Sequence, residues 1–399
     1  MNGDAFSVRW DEGATAQLEL FSPDVGAQSS PDVRAKSAVY QLKYTPPFRS
    51  TLRPPVEKRP LGRGVLQPIN DRLQAFTAAH HLGGTRSGSA AAALPLPPVS
   101  PLRALELVGK QLFELVLPQH VKSELRTKEL FLEIGIDEEL LNYPWELMHD
   151  GRSFLCERHF VGRFVNVTSG RRSIPPQAGL EEDEEAVDKL YVLLVSVPHP
   201  PPRDGMKYER LPEAEAETEA IMETLAASPD VEFNLLAGAE ATFDAVFTAL
   251  NERSYHIIHY NGHARFDPDN PHESGLVLHD MDMTTGPLVG FFGGRPPLLS
   301  FINACESARA TEWEKNYDVF SLARAFLETG SYLVGSRWKL TDTAADAFAR
   351  TFYETLIRER RALGRAMQRA RAACRDATQE SDFGWASYVL YGDPRVCFR

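Results

Sequence analysis

The chain has 399 residues, of which 43% are hydrophobic and 25% are charged, and this composition excludes a wholly disordered chain, a collagen and a bare coiled coil. Its 43 basic and 55 acidic residues give a formal net charge of -12 at pH 7, which opposes direct binding to nucleic acid or to an anionic membrane. The cysteines fit neither a zinc knuckle nor a dense disulfide framework, and the amino terminus has no apolar signal segment, so we expect a cytoplasmic protein with reduced thiols.

The first hundred residues differ in composition from the rest of the chain. Proline is concentrated in residues 44–60 and 94–101, and residues 83–93 are rich in Gly, Ser and Ala. This composition indicates loops and linkers around a few short strands. We therefore predict an amino-terminal extension over residues 1–100.

Residues 101–185 are predicted to form a separate part of the chain. Apolar residues recur at helical intervals over Leu102–Leu117 and alternate over Leu130–Gly135, which predicts a helix followed by a strand. A second candidate strand covers Gly162–Val167. The acidic run at residues 180–185 then marks a domain boundary near residue 185.

From residue 186 to residue 399, strands and helices are predicted to alternate. The predicted strands are Tyr191–Val197, Val231–Leu236, Tyr255–Tyr260, Pro297–Ala304 and Tyr332–Ser336. The predicted helices are Pro212–Ala227, Thr242–Arg253, Asp318–Thr329 and Thr343–Arg358. This alternation predicts an α/β domain with a parallel sheet and helices on both of its faces. In open sheets of this kind, catalytic groups gather beyond the carboxyl ends of the strands.

Reactive side chains follow two of these predicted strands. His263 comes after the third strand and Cys305 after the fourth. Because consecutive strands usually lie side by side, both residues are expected at one crevice. A thiol with an ordinary pKa of about 8.5 is only partly ionised at neutral pH, and an imidazole within reach can generate the thiolate and later protonate a leaving amine. The pattern predicts a Cys/His catalytic dyad.

The small residues beside the dyad predict an oxyanion site. Backbone N–H groups at two small-residue turns, Gly262 to Ala264 and Ala304 to Cys305, would stabilise a tetrahedral oxyanion. A second interpretation stays open, because a cysteine at a strand end is often a small buried hydrophobe. The other cysteines lack a comparable context and are interpreted as structural.

Other kinds of site fit the sequence less well. His256, His259 and His263 lie close together, but His256 and His259 point to opposite faces of a strand, and no Cys, Asp or Glu ligand pattern accompanies them. The sequence contains neither a phosphate-binding glycine motif nor a G-x-S-x-G nucleophile elbow. We predict no metal and no cofactor.

A series of motifs, in order along the chain, resembles the CHAT-domain peptidases, bacterial relatives of caspases. The motifs are Asn142-Tyr-Pro-Trp-Glu-Leu-Met148, His259-Tyr-Asn-Gly-His263, Ser274-Gly-Leu-Val-Leu278, Asn303-Ala-Cys305-Glu-Ser307, Ser321-Leu-Ala-Arg-Ala-Phe-Leu327, Gly335-Ser-Arg-Trp338, Asp342, Phe352-Tyr353 and Leu390-Tyr-Gly-Asp-Pro394. The resemblance covers the chain from about residue 100 to residue 397.

The resemblance implies a caspase-like three-layer α/β/α sandwich with a mostly parallel sheet. A catalytic domain over residues 186–399 would follow a smaller, inactive caspase-like half over residues 101–185. The family's catalytic histidine falls on His263 and its nucleophile on Cys305. The chain has Ala264 where many relatives have glycine after that histidine, which would make the loop less permissive.

The expected specificity pocket of such a fold lies near Trp338 and Asp342. An acidic side chain at position 342 would favour a basic residue before the scissile bond. The alternative is a structural role, with Thr341 or Asp342 as the N-cap of the following helix.

The function implied by the resemblance is that of a cysteine endopeptidase that cleaves a specific protein partner. Such enzymes act as triggered proteases in bacterial defence or regulated cell death, for example on a gasdermin-like pore former. The trigger would be a separate activator or sensor protein, or the first hundred residues. The alternative is a catalytically silent adaptor that keeps the fold and binds partners.

Overall fold

The computed structural model describes most of the chain. The described residues are 8–21, 40–47, 56–59, 66, 68–69, 71–72, 100–137, 140–141, 143–166, 189–203, 205–265, 273–292, 296–306, 326, 329–338, 340–378 and 382–398. They divide into two compact units. The site unit consists of Met1–Asp11, Ser173–Thr378 and Gly384–Arg399, and the companion unit consists of Glu12–Arg172 and Gln379–Phe383.

Strands and helices alternate along most of the described chain. The strands are β1 (Val8–Trp10), β2 (Thr15–Phe21), β3 (Tyr40–Thr45), β4 (Val56–Arg59), β5 (Phe131–Asp137), β6 (Phe160–Asn166), β7 (Leu190–Val197), β8 (Val231–Ala237), β9 (Ile257–Arg265), β10 (Gly275–Val277), β11 (Asp282–Thr284), β12 (Leu299–Glu306), β13 (Tyr332–Ser336), β14 (Tyr388–Tyr391) and β15 (Val396–Phe398). The helices are α1 (Pro101–Val116), α2 (Gln119–Thr127), α3 (Leu155–Arg158), α4 (Pro212–Ala226), α5 (Phe243–Glu252), α6 (Thr285–Phe292), α7 (Asp342–Tyr353), α8 (Leu363–Ala377) and α9 (Gly384–Ser387).

The companion unit is built on a mixed sheet in the order β6-β5-β2-β3-β4. Strands β2, β5 and β6 are parallel, β3 adds antiparallel to β2, and β4 adds antiparallel to β3. Helix α1 begins at Pro101 because Ser100 caps it: the Ser100 side chain accepts from the Arg103 N–H at 3.4 Å. The predicted helix over Leu102–Leu117 is confirmed by α1.

A buried ion pair fixes the turn that contains Trp145, Glu146 and Leu147. Arg163 of β6 has no exposed surface and donates from Nε and Nη2 to the Glu146 carboxylate. The same guanidinium donates to the carbonyl oxygens of Leu141 and Tyr143, each at 2.9 Å. The Pro-Trp-Glu-Leu segment therefore has a structural role in this chain, because its carboxylate neutralises a buried arginine.

The site unit contains a mostly parallel sheet. Strands β8, β7, β9, β12 and β13 run parallel in that order, and β14 adds to β13 as an antiparallel neighbour. The short strand β10 pairs antiparallel with the end of β9, and β11 with β10. Strands β1 and β15 form a separate two-stranded sheet. Strand β7 is buried along nearly its whole length and consists largely of apolar residues, whereas β9 is equally buried but carries His259, Asn261 and His263 on one face.

Helices cover both faces of this sheet. Helices α4 and α7 contact the face that carries His259 and Asn303, as their hydrogen bonds to Glu217 and Tyr353 show. On the opposite face, Val246 and Leu250 of α5 line a small apolar cavity together with sheet residues such as Ile258 and Ile302. The predicted α/β sandwich with a mostly parallel sheet is confirmed.

Some elements differ from the predictions in their bounds. Strand β9 extends to Arg265 and β12 to Glu306, five and two residues beyond the predicted ends. The predicted helix over Thr343–Arg358 divides into α7 and a π-helical turn, Glu354–Arg358, after which Arg360 adopts a positive φ of 54°. Most of the predicted helix over Asp318–Thr329 lies outside the described residues. Among the residues that the structure describes, no helix combines the length and apolar character needed to cross a lipid bilayer.

Candidate active site

His263 and Cys305 occupy paired positions on adjacent parallel strands. Strand β9 pairs with β12 over eight residues, and the last pairs in register are Cys305 with His263 and Glu306 with Ala264. Neighbouring strands lie about 4.8 Å apart, so the two residues sit side by side at the carboxyl ends of their strands. The structure thus brings together the two residues that the sequence predicted at one crevice.

The imidazole of His263 is held by a backbone carbonyl. The His263 side chain is buried, with 2% of its surface exposed, and its Nε2 lies 2.8 Å from the carbonyl oxygen of Glu209. Because a carbonyl oxygen only accepts hydrogen bonds, Nε2 carries the proton and donates it to Glu209. In a neutral imidazole, Nδ1 is then the basic nitrogen, which is the atom that can accept a thiol proton.

Tyr208 packs on this imidazole, and Arg203 lies next to Tyr208. The Tyr208 ring packs on His263 with 5.3 Å between ring centroids, and the guanidinium of Arg203 lies 5.8 Å from the centroid of Tyr208. Arg203 is itself fixed by Asp282 at 2.6 Å and by the Leu278 carbonyl at 2.8 Å. Tyr208 and Glu209, ahead of α4, therefore contact the histidine directly, and Arg203 contacts Tyr208.

Tyr260 fixes the backbone next to His263. Its hydroxyl lies 2.6 Å from the carbonyl oxygen of His263 and 2.9 Å from that of Val277. Burial raises the pKa of Tyr260 well above its ordinary value, so the phenol stays protonated and donates. A Cβ added at Gly262 would lie 2.6 Å from this hydroxyl and 3.1 Å from the Val197 carbonyl oxygen. Only glycine fits between the phenol and the neighbouring strand.

The prediction of a small-residue turn at Gly262 to Ala264 is wrong, because both residues lie inside β9. Ala304 and Cys305 likewise lie inside β12. Within the described part of the chain, the one residue other than glycine with a positive φ is Arg360, so alanine at position 264 causes no backbone strain. The role of the Gly262 and Ala264 N–H groups as oxyanion donors stays a prediction.

A buried polar cluster lies on the same sheet face, in the two side-chain rows before the dyad. Asn303 donates from Nδ2 to the two carboxylate oxygens of Glu217, at 2.7 and 2.9 Å. His259 lies 3.3 Å from Glu217 through Nε2 and 3.1 Å from the Tyr353 hydroxyl through Nδ1. Burial, with Glu217 nearby, raises the pKa of Tyr353 well above its ordinary value, which keeps its hydroxyl as a donor.

Sequence reasoning did not identify this cluster as functional. Glu217 is one of several acids in the predicted helix Pro212–Ala227, His259 is weighed only as a metal ligand, and Asn303 appears only within a family motif. The signal was the spacing of Ala214, Glu217 and Thr218, which places one acid and one hydroxyl on the otherwise apolar face of α4.

The predicted specificity residues lie after β13, the strand next to β12. Trp338 is buried, and its backbone N–H and carbonyl oxygen bond to the Ser387 hydroxyl at 3.1 and 3.0 Å. Thr341 is the N-cap of α7, since its side chain accepts from the Ala344 N–H at 3.3 Å. Asp342 is the first residue of that helix. A specificity role for Trp338 and Asp342 stays a prediction.

The three neighbouring histidines have separate contacts. His256 accepts the Tyr191 N–H on Nδ1 at 2.9 Å, and burial lowers its pKa to about 4. His259 contacts the buried polar cluster, and His263 contacts Glu209. Over the described ranges, no group of three or more His, Cys, Asp or Glu residues is arranged to hold a metal ion.

A mostly parallel α/β sandwich with a histidine and a cysteine in register at neighbouring strand ends is the arrangement expected of a caspase-like fold. The family model described as CHAT domain matches residues 106–393, which is most of the chain. The chain belongs to the CHAT-domain family.

A solved structure shares this fold. The Arg-specific cysteine proteinase gingipain R (RGPB) superposes with a TM-score of 0.51 at 14% identity, over 84% of this chain and 76% of that chain. A complex of the pro- and mature domains of Porphyromonas gingivalis RgpB gives a TM-score of 0.46 at 13% identity, over 84% and 78% of the respective chains. No curated protein matches the chain.

Proposed function

We propose that the protein is a cysteine endopeptidase with Cys305 as nucleophile and His263 as general base and acid. The observation that carries this proposal is the register pairing of the two residues, combined with the Glu209 carbonyl that leaves His263 Nδ1 as the basic nitrogen. Membership of the CHAT-domain family supports it.

The proposed reaction follows from the chemistry of the two groups. His263 removes the thiol proton, and the Cys305 sulfur adds to the peptide carbonyl carbon. Backbone N–H groups, with those of Gly262 and Ala264 as candidates, stabilise the oxyanion. His263 then returns the proton to the leaving amine as the C–N bond breaks, which leaves an acyl-enzyme. Water, deprotonated by the same imidazole, releases the acid and regenerates the thiol.

The proposed substrate is an extended segment of a specific protein. The segment would lie along the strand ends, with Trp338 and Asp342 near the residue before the scissile bond. A role as a triggered protease in bacterial defence or regulated cell death, acting on a partner such as a gasdermin-like pore former, rests on the resemblance to CHAT peptidases alone. A separate activator or sensor protein and a cytoplasmic location belong to the same proposal.

The test is cleavage of a peptide library read by mass spectrometry. Wild-type protein should generate new amino termini after one preferred residue type. Cys305→Ala and His263→Ala should lose at least about a thousandfold in rate. Cys374→Ala, which changes a buried cysteine in α8, should keep the wild-type pattern.

Labelling with a peptidyl electrophile distinguishes an active enzyme from a catalytically silent adaptor. The enzyme should acquire one adduct per chain, on Cys305. A folded wild-type protein that cuts no peptide and leaves Cys305 unlabelled would contradict the proposal and favour the adaptor.

A further inference from the structure

A row of polar side chains crosses three strands directly before the dyad. Ser196 of β7, Asn261 of β9 and Asn303 of β12 are paired in register, and each has 5% or less of its surface exposed. His263 and Cys305 are two residues further along β9 and β12, about 6.6 Å along the strand direction. The row and the dyad therefore share one face of the sheet.

Helix α4 bonds to every member of this row. The Thr218 and Ser196 hydroxyls are hydrogen-bonded at 3.0 Å, and Asn261 donates to the Ala214 carbonyl oxygen at 3.1 Å. Glu217 accepts both of its bonds from Asn303. The loop that leads into α4 supplies the Glu209 carbonyl to His263. One helix thus holds the strand of the cysteine through Glu217 and the ring of the histidine through its preceding loop.

Stability does not explain a carboxylate at this position. Glu217 has 2% of its surface exposed, and within the described residues the one basic side chain within 4 Å of its carboxylate is His259, whose Nε2 lies 3.3 Å away. A buried carboxylate with so little compensation costs free energy relative to an apolar side chain of the same size. Its two oxygens nevertheless fix the Asn303 amide, whose Oδ1 accepts from Tyr388 at 3.3 Å.

We propose that Glu217 is a positioning residue that sets the placement of Cys305 relative to His263. It acts through Asn303, two residues before the cysteine, and this role rests on the proposed function. A glutamine at position 217 keeps the size but offers one acceptor, and its amide NH2 would meet either the Asn303 NH2 or His259 Nε2. Asn303 would then lose its fixed orientation. The end of β12, which carries Cys305, would lose its fixed position as a result.

The test is the pH dependence of Cys305 alkylation by iodoacetamide, read on the Cys305 peptide by mass spectrometry. In wild type, the midpoint should lie below the ordinary thiol pKa of about 8.5, because His263 favours the thiolate. In Glu217→Gln, the midpoint should rise towards 8.5, and the alkylation rate at pH 7 should fall by about tenfold or more. Asn303→Ser should give the same rise. For a peptide identified in the library, Glu217→Gln should lower kcat while KM stays within about twofold.

The matched control is Thr218→Val, which removes the bond from the same helix to Ser196 of β7, a strand that carries neither dyad residue, and keeps the bonds of Asn303 and Asn261. It should lower the melting temperature and leave the midpoint unchanged. Folded Glu217→Gln and Asn303→Ser variants with the wild-type midpoint would overturn the positioning role. A wild-type midpoint at 8.5 would instead overturn the dyad, and with it any role of Glu217 in placing it.

Discussion

At the scale of single residues, Gly262 shows how tightly the backbone next to the histidine is packed. We expect Gly262→Ala to lower the free energy of unfolding by about 1–3 kcal/mol, because the added methyl group would meet the Tyr260 hydroxyl at 2.6 Å. Tyr260 cannot retract without losing its bonds to the carbonyl oxygens of His263 and Val277. Chemical denaturation should show the lower free energy of unfolding, and the peptidase rate should fall as well.

Gly290 of α6 supplies the control for this substitution. A Cβ at Gly290 meets nothing within 4 Å, and alanine favours a helix over glycine. Gly290→Ala should therefore keep or slightly raise stability. Equal effects at the two glycines would contradict the packing argument.

Glu146 tests the buried ion pair of the companion unit. We expect Glu146→Gln to cost about 3–5 kcal/mol, because it leaves the fully buried Arg163 without its counter-charge. The exposed pair of Arg103 and Glu106, at 2.6 Å, provides the comparison. Glu106→Gln should cost less than about 1 kcal/mol. Urea unfolding of the two variants measures the difference, and equal losses would refute the assignment.

At the scale of elements, substitutions at the start of α7 distinguish a helix-capping role from a role in substrate specificity. We expect Thr341→Ala to cost about 1 kcal/mol of stability, because it removes the side chain that accepts the Ala344 N–H, without changing which peptides are cut. Asp342→Asn should leave the melting temperature nearly unchanged and shift the library preference away from basic residues. If Asp342→Asn cleaves the library with the same residue preference as wild type, Asp342 has no role in specificity.

Elements with strong local patterns were predictable from the sequence, and those defined by their neighbours were not. Apolar runs gave β7 and β13 within one residue, and helical periodicity gave α1 and α4. The three-residue strands β10 and β11 are too short to carry a pattern, and they form because β9 extends to Arg265 and offers an edge. In the same way, β2 is a strand because it pairs with β5 far along the chain.

The reactive groups of the candidate site were predictable from the sequence, but the groups that hold them in place were not. His263 and Cys305 stand out because few residue types perform nucleophilic chemistry and because strand ends are where such chemistry gathers. The Glu209 carbonyl carries no sequence signal, since any residue offers the same backbone oxygen. Glu217 is one acid among several in α4, and in the sequence only its spacing with Ala214 and Thr218 sets it apart.

At the scale of the whole molecule, two buried histidines predict acid lability in both units. Burial lowers the pKa of His159 in the companion unit and of His256 in the site unit, each to about 4. The unfolded chain binds these protons near pH 6.5 and the folded chain near pH 4, so stability falls as pH decreases through that window. Each histidine contributes up to roughly 3 kcal/mol to this loss.

Urea midpoints at pH 7 and pH 4.5 measure this effect. The wild-type midpoint should drop, and His159→Gln and His256→Gln should each reduce the drop, because glutamine does not titrate. His159→Gln keeps a donor for the Leu125 carbonyl oxygen, which the imidazole contacts at 3.1 Å. Variants that lose as much stability on acidification as wild type would contradict the assignment.

The central claim is that His263 activates Cys305, and its most direct test compares the ionisation of the thiol with and without the imidazole. Alkylation of Cys305 should be followed from pH 5 to pH 10 in wild type and in His263→Ala. We predict a wild-type midpoint below about 8.5 and a return to that value in His263→Ala, with slower alkylation at pH 7. Identical profiles for the two proteins would contradict the account.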